Sequence, residues 1–88
     1  MKPIVTYLLV IIELSYVIAQ DAGKIDHAMR LVTEGQNDSA LVILEKLYEL
    51  NSKDPQVNYL LGTIALRNGN YDSSIDYLDD AIAVDESN

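Results

Sequence analysis

The 88-residue sequence contains no cysteine. That removes disulfides, thiolate metal sites and lipid attachment through a cysteine, and it leaves side-chain packing to supply the stability of any fold. There is one histidine, His27, so a multi-histidine metal site is excluded and a catalytic triad has no plausible nucleophile arrangement. Positive charge is scarce: six Lys and Arg stand against 14 Asp and Glu, for a formal net charge of −8 at pH 7. Binding to a nucleic-acid backbone is therefore disfavoured. No cofactor and no metal is expected. Asp72, Asp76, Asp79 and Asp80 cluster in sequence, but calcium loops wrap oxygens around an ion, whereas carboxylates along one rigid helix diverge, so these four read as a solvated acidic face. With so few convergent polar groups, catalysis is not expected.

Long apolar runs are confined to one place. Residues 4–19 are almost wholly apolar behind a single cation, Lys2, and end in the small residues Val17 and Ala19. A basic start, an apolar stretch of secretory length and small residues at its end read as a signal peptide over 1–19, cut after Ala19. Glu13 interrupts the run, and a carboxylate there costs roughly 2 to 3 kcal/mol on insertion scales. The uninterrupted part still has the length of a secretory core. Two other readings remain open: an uncleaved membrane-associated anchor, and a helix packed on the rest of the chain. The expected location is secreted or periplasmic, with any membrane contact made only through this segment.

What the rest of the chain does contain is an internal period. Gly35 and Gly69 are 34 residues apart, and the same offset pairs Asp38 with Asp72, Ser39 with Ser73 and Leu44 with Leu78. It also pairs similar residue types: Leu31 with Ala65, Ala40 with Ser74, Leu41 with Ile75, Leu47 with Ala81 and Leu50 with Val84. Periods of this length signify stacked supersecondary units. Within each unit the apolar residues recur at helical spacing, as in Leu41, Leu44, Leu47 and Tyr48, then Ile75, Leu78, Ala81 and Ile82. The pattern predicts four helices over about 21–34, 38–51, 55–68 and 72–85. Gly35 and Gly69 supply left-handed helix ends, Asp38 and Asp72 bring carboxylates to the next helix start, and Asp54-Pro55 is a cap followed by proline at the first helical position. Short connections make consecutive helices antiparallel. Ala28 and Gly62 fall where the two helices of a hairpin approach closely.

Residues 55–88, PQVNYLLGTIALRNGNYDSSIDYLDDAIAVDESN, resemble one tetratricopeptide repeat. Leu61-Gly62, Gly69-Asn70-Tyr71-Asp72, Ile75, Tyr77, Leu78, Ala81-Ile82 and Val84-Asp85 carry the resemblance. A more degenerate copy, retaining Ala28, Leu31, Gly35, Ala40, Leu44 and Leu50, lies in the unit 20–54. The family's favoured tryptophan is replaced by Lys24 and Asn58, and its closing proline by Ser52 and Glu86. The resemblance implies an all-α helix-turn-helix solenoid of two repeats, four antiparallel helices behind an apolar N-terminal segment. Arrays of this type generally need about three units before buried area outweighs chain entropy, so two repeats are marginal and the outer side of the last helix needs cover.

The resemblance also implies a function, a protein-interaction module that receives a peptide or partner segment in a concave groove lined by the first helix of each repeat. Carried over residue by residue, that face is Ile25, Met29, Val32 and Thr33 from the first repeat and Tyr59, Thr63, Leu66 and Arg67 from the second. It is largely apolar. Relatives that grip a C-terminal carboxylate place lysine, arginine and asparagine on this face, and only Arg67 and Thr63 have suitable character here. The alternative is a structural one, in which the chain is a fragment or subunit of a larger solenoid or a self-associated oligomer with no separate ligand. His27 is expected in the seam or partly buried. Tyr48, Tyr71 and Tyr77 read as fillers of gaps between helices and Tyr59 as a contact residue. Asn37-Asp38-Ser39 is a glycosylation sequon placed in an exposed turn.

Overall fold

Glycine fixes the shape of this chain at two points. In the computed structural model, which describes residues 22–86 and the side chains of 22–83, Gly35 and Gly69 adopt φ angles of 81° and 80°. Only a residue without a Cβ takes that conformation at little cost. Around Gly35, the amide of Gln36 donates to the Leu31 carbonyl at 2.8 Å and the amide of Gly35 to that of Val32 at 3.1 Å. Around Gly69, the amide of Asn70 donates to Ala65 at 2.8 Å and that of Gly69 to Leu66 at 3.1 Å. These are two copies of one helix-ending motif, atom for atom at the 34-residue offset.

The helices they separate are α1 (22–33), α2 (Asn37–Leu50), α3 (Pro55–Arg67) and α4 (Tyr71–Glu86). Every described boundary lies within one residue of the sequence expectation, and no strand occurs among the described residues. The apolar N-terminal segment assigned to 1–19 lies outside the described residues. Among those described, no helix is long and apolar enough to cross a membrane.

A different device joins the two hairpins. Asp54 Oδ1 accepts from the amides of Gln56 at 2.9 Å and Val57 at 3.2 Å, with Pro55 in the first turn of α3. The cap satisfies amides that the helix cannot. One residue inside α3, the fully buried Asn58 donates from Nδ2 to the Ser52 carbonyl at 3.0 Å and pins the turn to the helix. Its Oδ1 is buried with no hydrogen-bond partner. Asp38 and Asp72 lie in the first turns of α2 and α4, where the helix dipole favours a carboxylate.

The core runs through the middle of the stack. Ile25, Ala28, Leu31 and Val32 of α1 meet Ala40, Leu44 and Leu47 of α2, and then Val57, Leu60, Leu61 and Ile64 of α3. Small residues set the spacing within each hairpin. Ala28 is fully buried, and Gly62 lies so close to α4 that a Cβ on it would meet Leu78 Cγ and Cδ2 at 2.9 Å. Beside that contact Ser74, itself buried, donates to the Gly62 carbonyl at 2.9 Å. Between hairpins, the rings of Tyr48 and Tyr77 meet edge to face with centroids 5.9 Å apart, a favoured aromatic geometry.

Two expectations are corrected. His27 is exposed instead of lying in a seam: its partner at the 34-residue offset, Leu61, is buried against the preceding hairpin, and no described element precedes α1. Tyr71, expected to fill a gap between helices, is 64% exposed, on the outer side of α4 that the sequence left in need of cover. Ala81 is enclosed and Leu78 half-buried, but Ile75 and Ile82 are 56% and 55% exposed. Their counterparts Leu41 and Tyr48 in α2 pack against the core because the second hairpin lies over them.

Candidate functional site

The first helices of the two hairpins run side by side, and their outward face is where the sequence placed a groove. On α3 the spacing of Tyr59, Thr63 and Leu66 puts all three on one side of the helix. Tyr59 is 58% exposed and Leu66 52% exposed, while Thr63 is half-buried. On α1, Met29 is 40% exposed and Thr33 is exposed. Both threonine hydroxyls are spent within their own helices, Thr33 Oγ1 donating to the Met29 carbonyl at 2.9 Å and Thr63 Oγ1 to that of Tyr59 at 2.9 Å. The surface left to a partner is therefore mainly hydrocarbon and ring.

Ile25 and Val32 are placed elsewhere. Both are buried in the core cluster and offer no surface to a ligand. The helical stripe holding 25, 29, 32 and 33 is wide, and its 25 and 32 edge turns inward against α2.

Arg67 closes one end of the face. Its Nη1 donates to the Val32 carbonyl at 2.7 Å and to Asn37 Oδ1 at 3.3 Å. A guanidinium there meets the negative end of the α1 dipole, so the one basic side chain expected on the groove face instead clasps the second hairpin to the first. With the Thr63 hydroxyl also engaged, neither polar candidate is committed to a ligand. Asn37, the acceptor in this clasp, is half-buried at the start of α2, so the sequon asparagine is not in an open turn.

At the other end of α3 the face deepens into a groove of about 410 Å³ lined by Met29, Tyr59, Leu60, Pro55, Ala81 and Ile82, among others. Tyr59 and Met29 were legible from the repeat register. Pro55, Leu60, Ala81 and Ile82 were not, because this part of the groove lies between two helices of the same hairpin; Ile82 carried a signal only as an apolar residue at the end of the last helix. Among the described residues no three histidine, aspartate or glutamate side chains converge on a point that could hold a metal ion.

Two antiparallel hairpins with the same glycine turn, the same close approach in mid-helix and a common 34-residue register define a helical-repeat protein. A family model described as tetratricopeptide repeat matches residues 31–88, and the chain belongs to that family. No curated protein and no solved structure matches the chain. Tetratricopeptide repeats are typically non-catalytic and generally mediate protein–protein interactions, and at that level the chain is a protein-interaction module.

Proposed function

We propose that this protein is exported and receives a peptide or partner segment in the apolar groove on the α1 and α3 face. The observation that carries the reading is the joint exposure of Met29, Tyr59 and Leu66 on that face in a chain of net charge −8. Soluble proteins seldom leave large apolar side chains gathered without a use, and aromatic anchors are frequent sources of binding energy. Apolar anchors on the partner supply affinity, and the acidic surroundings reject acidic partners. Export is supported by the basic, apolar and small-residue order of residues 1–19.

Selection of random peptides displayed on phage, with the full chain as target and the Tyr59→Ala, Leu66→Asp double variant as counter-target, tests the groove. Enrichment of peptides rich in apolar anchors, lost on the variant, is expected. No enrichment, or equal capture by both proteins, contradicts the reading. Intact mass of the protein recovered outside the expressing cell tests export, with a start at Gln20 expected and a retained Met1 contradicting cleavage.

A further inference from the structure

The second hairpin ends in an apolar stripe that the first hairpin shows how to cover. Tyr71, Ile75, Leu78 and Ile82 are spaced i, i+4, i+7 and i+11 along α4 and so lie on one narrow face. Tyr71, Ile75 and Ile82 are 64%, 56% and 55% exposed, and Leu78 is half-buried. The same face of α2, at the 34-residue offset, holds Leu41, Leu44 and Tyr48. There Leu44 is completely buried, and Leu41 and Tyr48 pack against the core. What covers it is the apolar side of the next hairpin, with Leu61 and Ile64 of α3 buried in the shared core and Tyr77 of α4 against Tyr48. The natural occupant of the α4 stripe is therefore another helix with an apolar side.

Charge narrows the choice. One edge of the stripe is the seam with α3, where Ser74 and Ala81 are buried; the other carries Asp72, Asp76 and Asp79, all exposed. The helix has no Lys, Arg or His. Two copies of α4 laid face to face would bring these carboxylates together in a partly desolvated interface, and like-charge juxtaposition is costly there. Stacking α4 onto the α1 of a second copy fails for a different reason. The positions equivalent to Leu61 and Ile64 are His27 and Arg30 in α1, both exposed, so the apolar stripe would be buried against polar groups.

We propose that the outer face of α4 is a second docking surface, adjoining the α1 and α3 groove only at Ile82, for a partner protein's amphipathic helix with apolar residues at i, i+4, i+7 and lysine or arginine along one edge. The apolar contacts reproduce the packing of the second hairpin on α2, and the basic edge pairs with Asp72, Asp76 and Asp79. The probe is a fluorescent helical peptide matched to the 16 residues of α4, with a leucine stripe and a lysine edge. Its twin carries glutamate in place of lysine. Anisotropy against the full chain should show the lysine peptide binding about tenfold or more tightly than the twin. The Tyr71→Asp, Ile75→Asp double variant, which spares Ile82 because that residue also lines the groove, should weaken the lysine peptide by about tenfold or more. That substitution adds negative charge, so attraction between charges alone predicts the opposite change. Both positions are exposed, and circular dichroism confirms that the variant keeps its helices.

Leu66→Asp, which disables the groove of the proposed function but lies outside this stripe, should leave the peptide affinity unchanged, so failure of either reading is distinguishable from failure of the other. Equal binding of the two peptides, or undiminished binding by the double variant, overturns the proposal. So does an oligomer, seen by light scattering, that the double variant dissociates, because the stripe then belongs to a second copy.

Discussion

Arg67 Nη1 lies 2.7 Å from the carbonyl oxygen of Val32, joining the last turn of α3 to the last turn of α1 across 35 positions of sequence. The contact is charge-assisted and couples two hairpins that otherwise meet largely through apolar side chains. Because the arginine side chain is substantially exposed, its loss costs less than that of a buried charged bond. Arg67→Met should lower unfolding free energy by about 1 kcal/mol. Arg67→Lys should recover part of this, since both contacts come from the single nitrogen Nη1 and an ammonium likewise carries several donors on one nitrogen, though on a differently built stem. Urea unfolding followed by circular dichroism measures both.

The two glycine turns provide a matched pair. No atom lies within 4 Å of the Cβ position at Gly35 or Gly69, and the φ angles are 81° and 80°. Alanine at either site therefore meets backbone strain without a clash, and each substitution should cost about 1 to 2 kcal/mol. The two costs should agree, and asparagine, which tolerates the left-handed region better, should cost less at both. Melting curves of the four variants check this, and clearly unequal alanine costs would show that the turns are not equivalent.

At Gly62 the order reverses, with space as the constraint and helix propensity working the other way. A methyl there meets Leu78 at 2.9 Å, and overpacking of this sort costs typically about 1 to 3 kcal/mol, against about 1 kcal/mol gained from replacing glycine within a helix. Gly62→Ala should thus be destabilising by about 1 kcal/mol. Leu78→Ala should be destabilising alone, yet add less than its own cost in the Gly62→Ala background. A double-mutant cycle in urea reads the coupling.

Asn58 stands where the resemblance led one to look for tryptophan, and its amide has divided circumstances. Nδ2 holds the Ser52 carbonyl while Oδ1 is buried and unpaired. Asn58→Asp removes the donor and buries a carboxyl group against that carbonyl, so it should cost about 2 to 3 kcal/mol or more. Asn58→Leu also removes the orphaned acceptor and frees a carbonyl in an exposed turn to meet water. It should lie within about 1 kcal/mol of the parent chain. Chemical unfolding distinguishes the two outcomes.

Turns and helix limits were legible in the sequence because their chemistry is local. A positive φ asks for glycine, and the free amides at a helix start ask for an acceptor such as Asp54; neither requirement depends on distant residues. Neighbours were harder to read. Periodicity marks the apolar side of a helix but not whether another helix lies against it, so the exposure of His27 and Tyr71 was not legible. The width of a buried stripe is likewise set by the packing around it, so Ile25 and Val32 went to the core while Met29 stayed outside. Arg67 was identified as a polar group on the groove, but its clasp on Val32 depends on the relative placement of two helices that only the folded chain defines.

The central claim is that two equivalent hairpins stack in one register, and methyl-resolved nuclear Overhauser spectroscopy on the full chain tests it most directly. Cross-peaks from the Leu78 methyls to the Gly62 α-protons and from the Leu44 methyls to the Ala28 methyl should appear together, with Leu44 showing additional contacts to α3 that Leu78 lacks. Leu44 and Leu78 facing positions unrelated by the 34-residue offset would contradict the account.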